Sequence, residues 1–182
     1  MTWTLPGTTL QGKRADAGRT DGLFQSMMLT GGLTLGQVAT ITGLEPYTVQ
    51  NWVKRGFLPA PRGKRYDMEQ LCRIITINML RGALALEKIC GLLSYINGSL
   101  TDESDDIIDD TALYFMFVKL ATRARDLEGA EWEEAIADTL AGYLEPYPVA
   151  RQRIEKVLRI MLTAWISTRM RLEAEAMLST LS

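Results

Sequence analysis

The sequence contains no histidine and only two cysteines, Cys72 and Cys90. Histidine is the commonest general base and the commonest metal ligand, so its absence argues against an enzyme and against a bound metal ion. The two cysteines fall in segments predicted to be helical. We expect them to be small buried apolar side chains rather than a disulfide framework. We therefore predict that the protein is not an enzyme and has no catalytic residues, no cofactor and no metal site.

Also absent is an uncharged apolar run of about 18 residues, the length that a membrane-spanning helix requires. The N-terminal stretch lacks the charged start and apolar core that mark a signal peptide; it reads MTWTLPGTTLQGKRADAGRTDG. We therefore expect a cytoplasmic protein that makes no membrane contact. With 182 residues, 47% of them hydrophobic, the chain can form one compact domain or a small domain with a helical extension.

The net charge of -2 excludes a general polyanion binder, but the charges are segregated along the chain. Residues 33–66 carry five basic residues against one acidic residue. Residues 99–150 carry thirteen acidic residues against three basic ones, and residues 151–182 carry six basic against three acidic. Any binding to nucleic acid must therefore come from a local cationic patch, and residues 33–66 are the candidate.

The predicted fold class is all-α with a small β-wing, namely a winged helix-turn-helix followed by a helical bundle. Residues 1–21 are rich in Gly, Thr and charge, and we interpret them as a mobile N-terminal arm. Residues 22–98 are predicted to form the winged helix-turn-helix module, and residues 99–182 the helical bundle. Thr34 and Asp67 are expected to cap helices, and Gln70 completes a capping box with Asp67.

Residues 34–55 have the spacing of a helix-turn-helix. Ala39 is the small residue expected where the two helices touch, and Gly43 permits the positive φ of the turn. Five apolar side chains are placed to hold the pair together: Leu35, Val38, Leu44, Val49 and Trp52. Six polar or basic side chains of the second helix are left to contact DNA: Tyr47, Thr48, Gln50, Asn51, Lys54 and Arg55. An ordinary helical hairpin with a solvated polar face is the alternative interpretation.

The next stretch, GFLPAPRGKRY, is typical of a small β-wing. We expect Phe57 and Leu58 to pair with Arg65 and Tyr66 across a tight basic turn. The cations of the wing, Arg62, Lys64 and Arg65, would then contact DNA phosphates. A basic surface loop is the alternative.

The segment LTLGQVATITGLEPYTVQNWVKRGFLPAPRGKRYDMEQLCRI resembles the winged helix-turn-helix of MerR-type transcription regulators, over about residues 33–96. The chain departs from that family at Gln50, Asn51 and Trp52, where Arg-Tyr-Tyr is common, and its wing is several residues shorter. It is more similar to an uncharacterised bacterial family, a domain of unknown function, through three segments that span nearly all of the chain after residue 22: TGLEPYTVQNWVKRGFLPAP, RIITINMLRGALALEKICGLLSYING and TDESDDIID. The resemblance implies a fold and a DNA-binding role.

The second half of the chain carries three features that sequence alone leaves open. The acidic cluster is expected to begin a helix, with a hard cation site as the alternative; it comprises Asp102, Glu103, Asp105, Asp106, Asp109 and Asp110. The apolar residues of the later helices are expected to form core, with an effector pocket as the alternative; they comprise Tyr114, Phe115, Met116, Phe117, Met161, Trp165 and Met170. The long helix after Val149 is expected to form a homodimer, with an intrachain bundle as the alternative.

These patterns together predict sequence-specific binding to double-stranded DNA by a transcription regulator. A homodimer would present two recognition helices one DNA turn apart, about 34 Å. A protein–protein adaptor or anti-regulator that keeps the fold without the DNA contact is the alternative, and the acidic residues 99–150 motivate it. A sensor whose bundle binds a small apolar effector is a third interpretation.

Overall fold

In a computed structural model, the chain is described over residues 2–13, 19–98, 106–124 and 131–181. These ranges are mostly helical, with eight helices and one two-stranded antiparallel sheet. The prediction of a mainly α-helical protein is confirmed. Within the described ranges, no helix is both long and apolar enough to cross a membrane.

The elements follow in chain order. The strands are β1 (Thr2–Thr4) and β2 (Gln11–Lys13). The helices of the first half are α1 (Thr20–Met28), α2 (Leu35–Thr42), α3 (Pro46–Lys54), α4 (Met68–Leu80) and α5 (Leu86–Asn97). Those of the second half are α6 (Asp110–Ala124), α7 (Glu131–Thr139) and α8 (Ala150–Ser179).

Two helices begin with the caps that the sequence predicted. Thr34 caps α2, and its side-chain oxygen accepts from the Gln37 amide while the Gln37 side chain accepts from the Thr34 amide. Asp67 and Gln70 form the same reciprocal arrangement at the start of α4. Each box satisfies two backbone donors that the first helical turn leaves without a partner. The two predicted caps are therefore confirmed.

Helix α4 is the centre of the core. All its residues from Gln70 to Leu80 except Asn78 are buried, and the helix packs against α1, α2, α5, α6 and α8. Of the later apolar residues, Tyr114, Phe117, Met161 and Trp165 are buried, as expected for core, whereas Met170 is 65% exposed. Helix α8 therefore packs within the chain along its first half and leaves the bundle near Met170.

The N-terminal segment differs from the predicted mobile arm. Residues 2–13 form a hairpin in which β1 and β2 pair from Thr2 with Lys13 to Thr4 with Gln11. Trp3 and Leu5 are buried. These two apolar side chains pack the hairpin into the core, and the abundance of Gly and Thr around them concealed that signal.

The hairpin is also hydrogen-bonded to the helix-turn-helix. The Thr9 amide donates to the Ile41 carbonyl at 2.8 Å. The Asn78 side-chain amide of α4 donates to the carbonyls of Gly7 and Thr42, at 2.9 and 2.8 Å. The elbow between α2 and α3 is therefore supported by the hairpin on one side and by α4 on another.

The strand pairing predicted for the wing is wrong. Phe57 donates its amide to the Trp52 carbonyl, so it continues the end of α3 rather than forming a strand. Tyr66 pairs with Leu33 through two hydrogen bonds of 2.8 Å, and Arg62 pairs with Arg65 across the tight turn. Leu33 takes the place expected for Phe57 because it lies directly before the cap of α2, next to the chain that enters α4. A winged helix-turn-helix is therefore not established by backbone pairing.

Candidate nucleic-acid interface

The bend between α2 and α3 depends on a few small or apolar residues. Gly43 ends α2 with φ of 68°, the left-handed conformation that a side chain would strain. Val38 and Val49 are fully buried, and Leu44 and Trp52 nearly so. Ala39 and Leu35 are half-buried at the edge of this contact. The apolar contacts predicted for a helix-turn-helix are thus brought together.

Helix α3 turns its polar side chains outward. Tyr47 is 74% exposed, Gln50 and Lys54 are exposed, and Thr48 and Asn51 are half-buried. Residues 47, 50, 51 and 54 follow the spacing of neighbours on one helical face. Because Val49 and Trp52 anchor the opposite face, this polar face is held in one orientation.

Arg55 lies just beyond that face and is engaged within the chain. Its guanidinium is 2.6 Å from the Glu87 carboxylate of α5 and lies 4.6 Å from the centroid of the Phe57 ring. Both members of the ion pair are about half exposed, with 46% and 63% of their side chains accessible. A phosphate would therefore compete with Glu87 for Arg55, which makes this the least available of the predicted DNA contacts.

Residues 62–65 form a tight turn closed by a 2.9 Å hydrogen bond from the Arg65 amide to the Arg62 carbonyl. Gly63 and Lys64 both have positive φ, 56° and 63°, as in a type I′ turn. The left-handed conformation costs a residue other than glycine about 1–2 kcal/mol. Lys64 is thus a strained residue at an exposed tip, and strained backbone conformations cluster at functional sites.

Helix α3 and the segment that carries the basic turn together line one cleft. Gln50 and Val53 of α3 line a cleft of about 420 Å³ together with Pro61, Lys64 and Tyr66 of the basic segment. Arg65 donates through Nη1 to the Gly32 carbonyl at 2.8 Å, which ties the turn to the residues before α2. Arg62, Lys64 and Arg65 all remain exposed. Of the predicted site residues, Gln50 of α3 and Lys64 of the basic turn therefore line one cleft.

The residues that support this surface were not found by sequence reasoning. Glu87 is 32 positions from Arg55, and no local pattern joins them. Arg73 donates through Nε to the Phe57 carbonyl at 3.2 Å and through Nη1 to Asp110 at 2.9 Å, which connects the basic segment to α6. The available signal was a single arginine inside the apolar run of α4, which requires a buried partner.

The acidic cluster is described only in part, because Asp102, Glu103 and Asp105 lie outside the described residues. Asp109 behaves as predicted for the start of a helix, since its side chain accepts from the Ala112 amide at 2.7 Å. Across the described ranges, no group of three or more acidic or cysteine side chains is arranged to hold a metal ion.

Comparison with known proteins shows that this region is similar to proteins whose function is not known. Residues 33–117 match the family described as Domain of unknown function (DUF1836), from just before α2 to the middle of α6. The chain is similar to the uncharacterised protein YkrK of Bacillus subtilis (strain 168), with 32% identity over 84 residues. Together these matches support a relation to an uncharacterised bacterial family.

Both matches are partial. The match to YkrK covers 44% of this chain and 36% of YkrK, so the chain spans about a third of the length of that relative. The family match ends at residue 117, although sequence analysis extended the resemblance over nearly all of the chain after residue 22. No solved structure matches the chain.

Proposed function

We propose that the protein binds double-stranded DNA in a sequence-specific manner, as a transcription regulator of MerR-like type. The observation that carries the proposal is the exposed polar face of α3, held by Val49 and Trp52 and set across one cleft from the basic turn. An α-helix fits the major groove of B-DNA, and amide side chains pair with two atoms of an adenine edge. Gln50 and Asn51 are the residues to which we assign base contacts.

The basic turn supplies the contacts to the DNA backbone. Lys64 is exposed at the tip of the turn and lines the cleft that it shares with Gln50. Arg62 and Arg65 flank it, and both are exposed. Phosphate contacts position a protein on the duplex without reading its sequence. We therefore assign the contacts to bases to α3 and the contacts to phosphates to the basic turn.

We also propose that two copies act together. One helix and the three cations of the basic turn make a small contact with DNA, and a dimer doubles that contact with a fixed spacing between half-sites. Helix α8 continues past the bundle with exposed apolar side chains, among them Met170 and Met177, and Leu181 is exposed in the turn that follows the helix. Met170, Ala174 and Met177 follow a four-three spacing, which places them on one stripe of the helix, and Leu181 continues the spacing in the turn after the helix. This stripe is the surface that we assign to the second copy.

The test is a fluorescence-anisotropy titration of the full chain with a random duplex at low salt, followed by selection of tight-binding sequences. We expect retention of random duplex that weakens as salt rises, and enrichment of a two-fold symmetric sequence. The variant Gln50→Ala with Lys54→Ala should lose the enriched sequence. Lys119→Ala, an exposed lysine of α6, is the matched control and should bind as the unmodified protein does. Failure to bind any duplex at any concentration would overturn the proposal and favour the adaptor interpretation.

A further inference from the structure

A polar cavity of about 110 Å³ borders the basic turn and shares Arg62 with the surface proposed to contact DNA. Its walls come from Pro59 and Ala60, the first turn of α4, the end of α5 and the start of α6. One water needs ~10–15 Å³ of such space, so the cavity has room for several waters or for a small organic molecule.

The floor of the cavity carries polar groups that the protein leaves without partners. Asn97 is 93% buried, since its exposed fraction is 7%, yet neither its side-chain oxygen nor its nitrogen has a hydrogen-bond partner in the described part of the chain. Asp110 accepts a hydrogen bond from Arg73 through Oδ2. Its other carboxylate oxygen, Oδ1, is also buried and has no hydrogen-bond partner in the described part of the chain. Buried polar groups of this kind are costly unless something in the cavity binds them.

The charges around the cavity indicate the sign of an occupant. Four acidic side chains line it, namely Asp67, Glu69, Asp106 and Asp110, against the two basic side chains Arg62 and Arg73. Arg73 already donates to Asp110 and to the Phe57 carbonyl. The excess of carboxylates disfavours an anion. The two unpartnered oxygens, Asn97 Oδ1 and Asp110 Oδ1, require hydrogen-bond donors.

We propose that this cavity binds a small organic cation with an ammonium or guanidinium group, whose N–H groups donate to Asp110 Oδ1 and Asn97 Oδ1. The free Asn97 amide nitrogen would donate to a hydroxyl or carbonyl oxygen of the same molecule. The site lies among polar helix ends, and it differs from an apolar effector pocket among the aromatic residues of the bundle.

The position of the cavity connects it to the basic turn. Arg62 and Asp67, which line it, lie on either side of Lys64. Gln70 donates to the carbonyls of Pro59 and Ala60, at 3.3 and 3.0 Å, so the same wall supports the chain that leads into the turn. An occupant would therefore hold the turn in place; any effect on duplex binding rests on the proposed function, whereas binding of the cation does not.

The test is a nuclear magnetic resonance titration of the ¹⁵N-labelled full chain with n-butylamine and with methylguanidinium, at constant ionic strength. Butyrate and butanol are the anionic and neutral probes of similar size. We expect saturable shifts for the cations, centred on the Asn97 side-chain amide and on residues 67–73, and none for butyrate. Asn97→Leu should weaken binding by about tenfold or more, as expected for loss of a hydrogen bond to a charged group.

Gln152→Leu makes a comparable change from an amide to leucine at an exposed position of α8, away from both surfaces, and should bind the cations normally. Ser94→Lys is a second variant at an exposed position on the cavity rim; it places an ammonium group there and should also weaken binding, whether or not Asn97→Leu folds. The proposal is overturned if neither cation gives saturable shifts, which would leave the cavity to water alone. Equal binding of butyrate, or unchanged cation binding by the Ser94→Lys variant, would overturn it too.

Discussion

Arg73 of α4 and Asp110 of α6 form a buried ion pair, with Nη1 and Oδ2 2.9 Å apart and only 4% and 7% of the two side chains exposed. Burial raises the pKa of the Asp110 carboxyl, because desolvation outweighs the attraction of the Arg73 guanidinium. In general a guanidinium group cannot be deprotonated in a protein, whereas a carboxylate can be neutralised by a proton. The two variants that each remove one member of the pair should therefore lose different amounts of stability.

We expect Asp110→Asn to lower the free energy of unfolding by about 3–5 kcal/mol, because it leaves a permanent buried cation. Arg73→Met should lower the free energy of unfolding by less, since the Asp110 carboxyl, which loses its partner, can take up a proton and become neutral. In that variant the folded chain holds the proton more tightly than the unfolded chain does. Its stability should therefore rise as the pH falls through the raised pKa, and level off below about 3.9.

Urea denaturation of both variants across a pH series measures these differences. The double variant Arg73→Met with Asp110→Leu is the control, and it should recover most of the stability because no buried charge remains. Equal losses for the two single variants, without a pH dependence, would contradict this account of the pair.

Two glycines with similar backbone conformations test the attachment of the N-terminal hairpin. Gly7 and Gly56 have φ of 73° and 78°. A Cβ at Gly7 would fall on the Ile75 carbonyl oxygen of α4, whereas a Cβ at Gly56 meets nothing within 4 Å. Gly56→Ala should cost about 1 kcal/mol from backbone strain alone. Gly7→Ala should cost clearly more, as measured by thermal unfolding, and equal losses would mean that the hairpin does not pack on α4.

The division of roles at the proposed DNA surface gives a second pair of variants. Asn51→Ala should change which base is preferred at one position, whereas Lys64→Ala should weaken binding to all sequences about equally and reduce the salt slope by about 1. Lys64→Gly should weaken binding in the same way without a loss of stability, because glycine relieves the positive φ at that position. Competition titrations with single-base variants of the selected sequence measure both effects. If the variants at 51 and 64 act alike, the assignment of roles is wrong.

The two cysteines should differ in reactivity. Cys72 is fully buried, and burial raises the pKa of its thiol strongly; Cys90 is half-buried, and burial raises the pKa of its thiol as well. Since the thiolate is the reactive form, alkylation near pH 8 should be slow and should label Cys90 first. Mass spectrometry of peptides over time measures the order, and Cys72→Ala should leave the early labelling unchanged. Faster labelling at Cys72 would mean that α4 is accessible to solvent.

Local signals in the sequence accounted for the elements that form the site. Thr34, Gly43 and the Asp67–Gln70 box act through partners three or four residues away, so their patterns are visible in a single sequence. The apolar spacing around Val49 likewise identified which face of α3 is buried.

Pairings between distant residues were missed or misassigned. The Thr9 amide bonds to Ile41, Tyr66 pairs with Leu33, and Arg73 meets Asp110 37 positions away. Each depends on how the helices pack, which no local pattern encodes. The pairing predicted for Phe57 and Leu58 was wrong for the same reason. The residue that pairs with Tyr66 is Leu33, which precedes α2 in the sequence, whereas Phe57 follows α3.

The last prediction concerns the exposed end of α8 and the turn after it, which carry Met177 and Leu181 of the apolar surface proposed to meet a second copy. Met177→Glu with Leu181→Glu should give a monomer, because charge on an apolar seam must be desolvated when the helices pair. The fold should survive, since the buried residues of α8 end at Trp165. Leu172→Glu with Ser179→Glu adds the same charge on the opposite face of the helix and should leave the dimer intact. Sedimentation equilibrium of the three proteins measures the mass directly. A monomeric unmodified chain, or loss of the dimer in the control, would rule out this stripe as the interface.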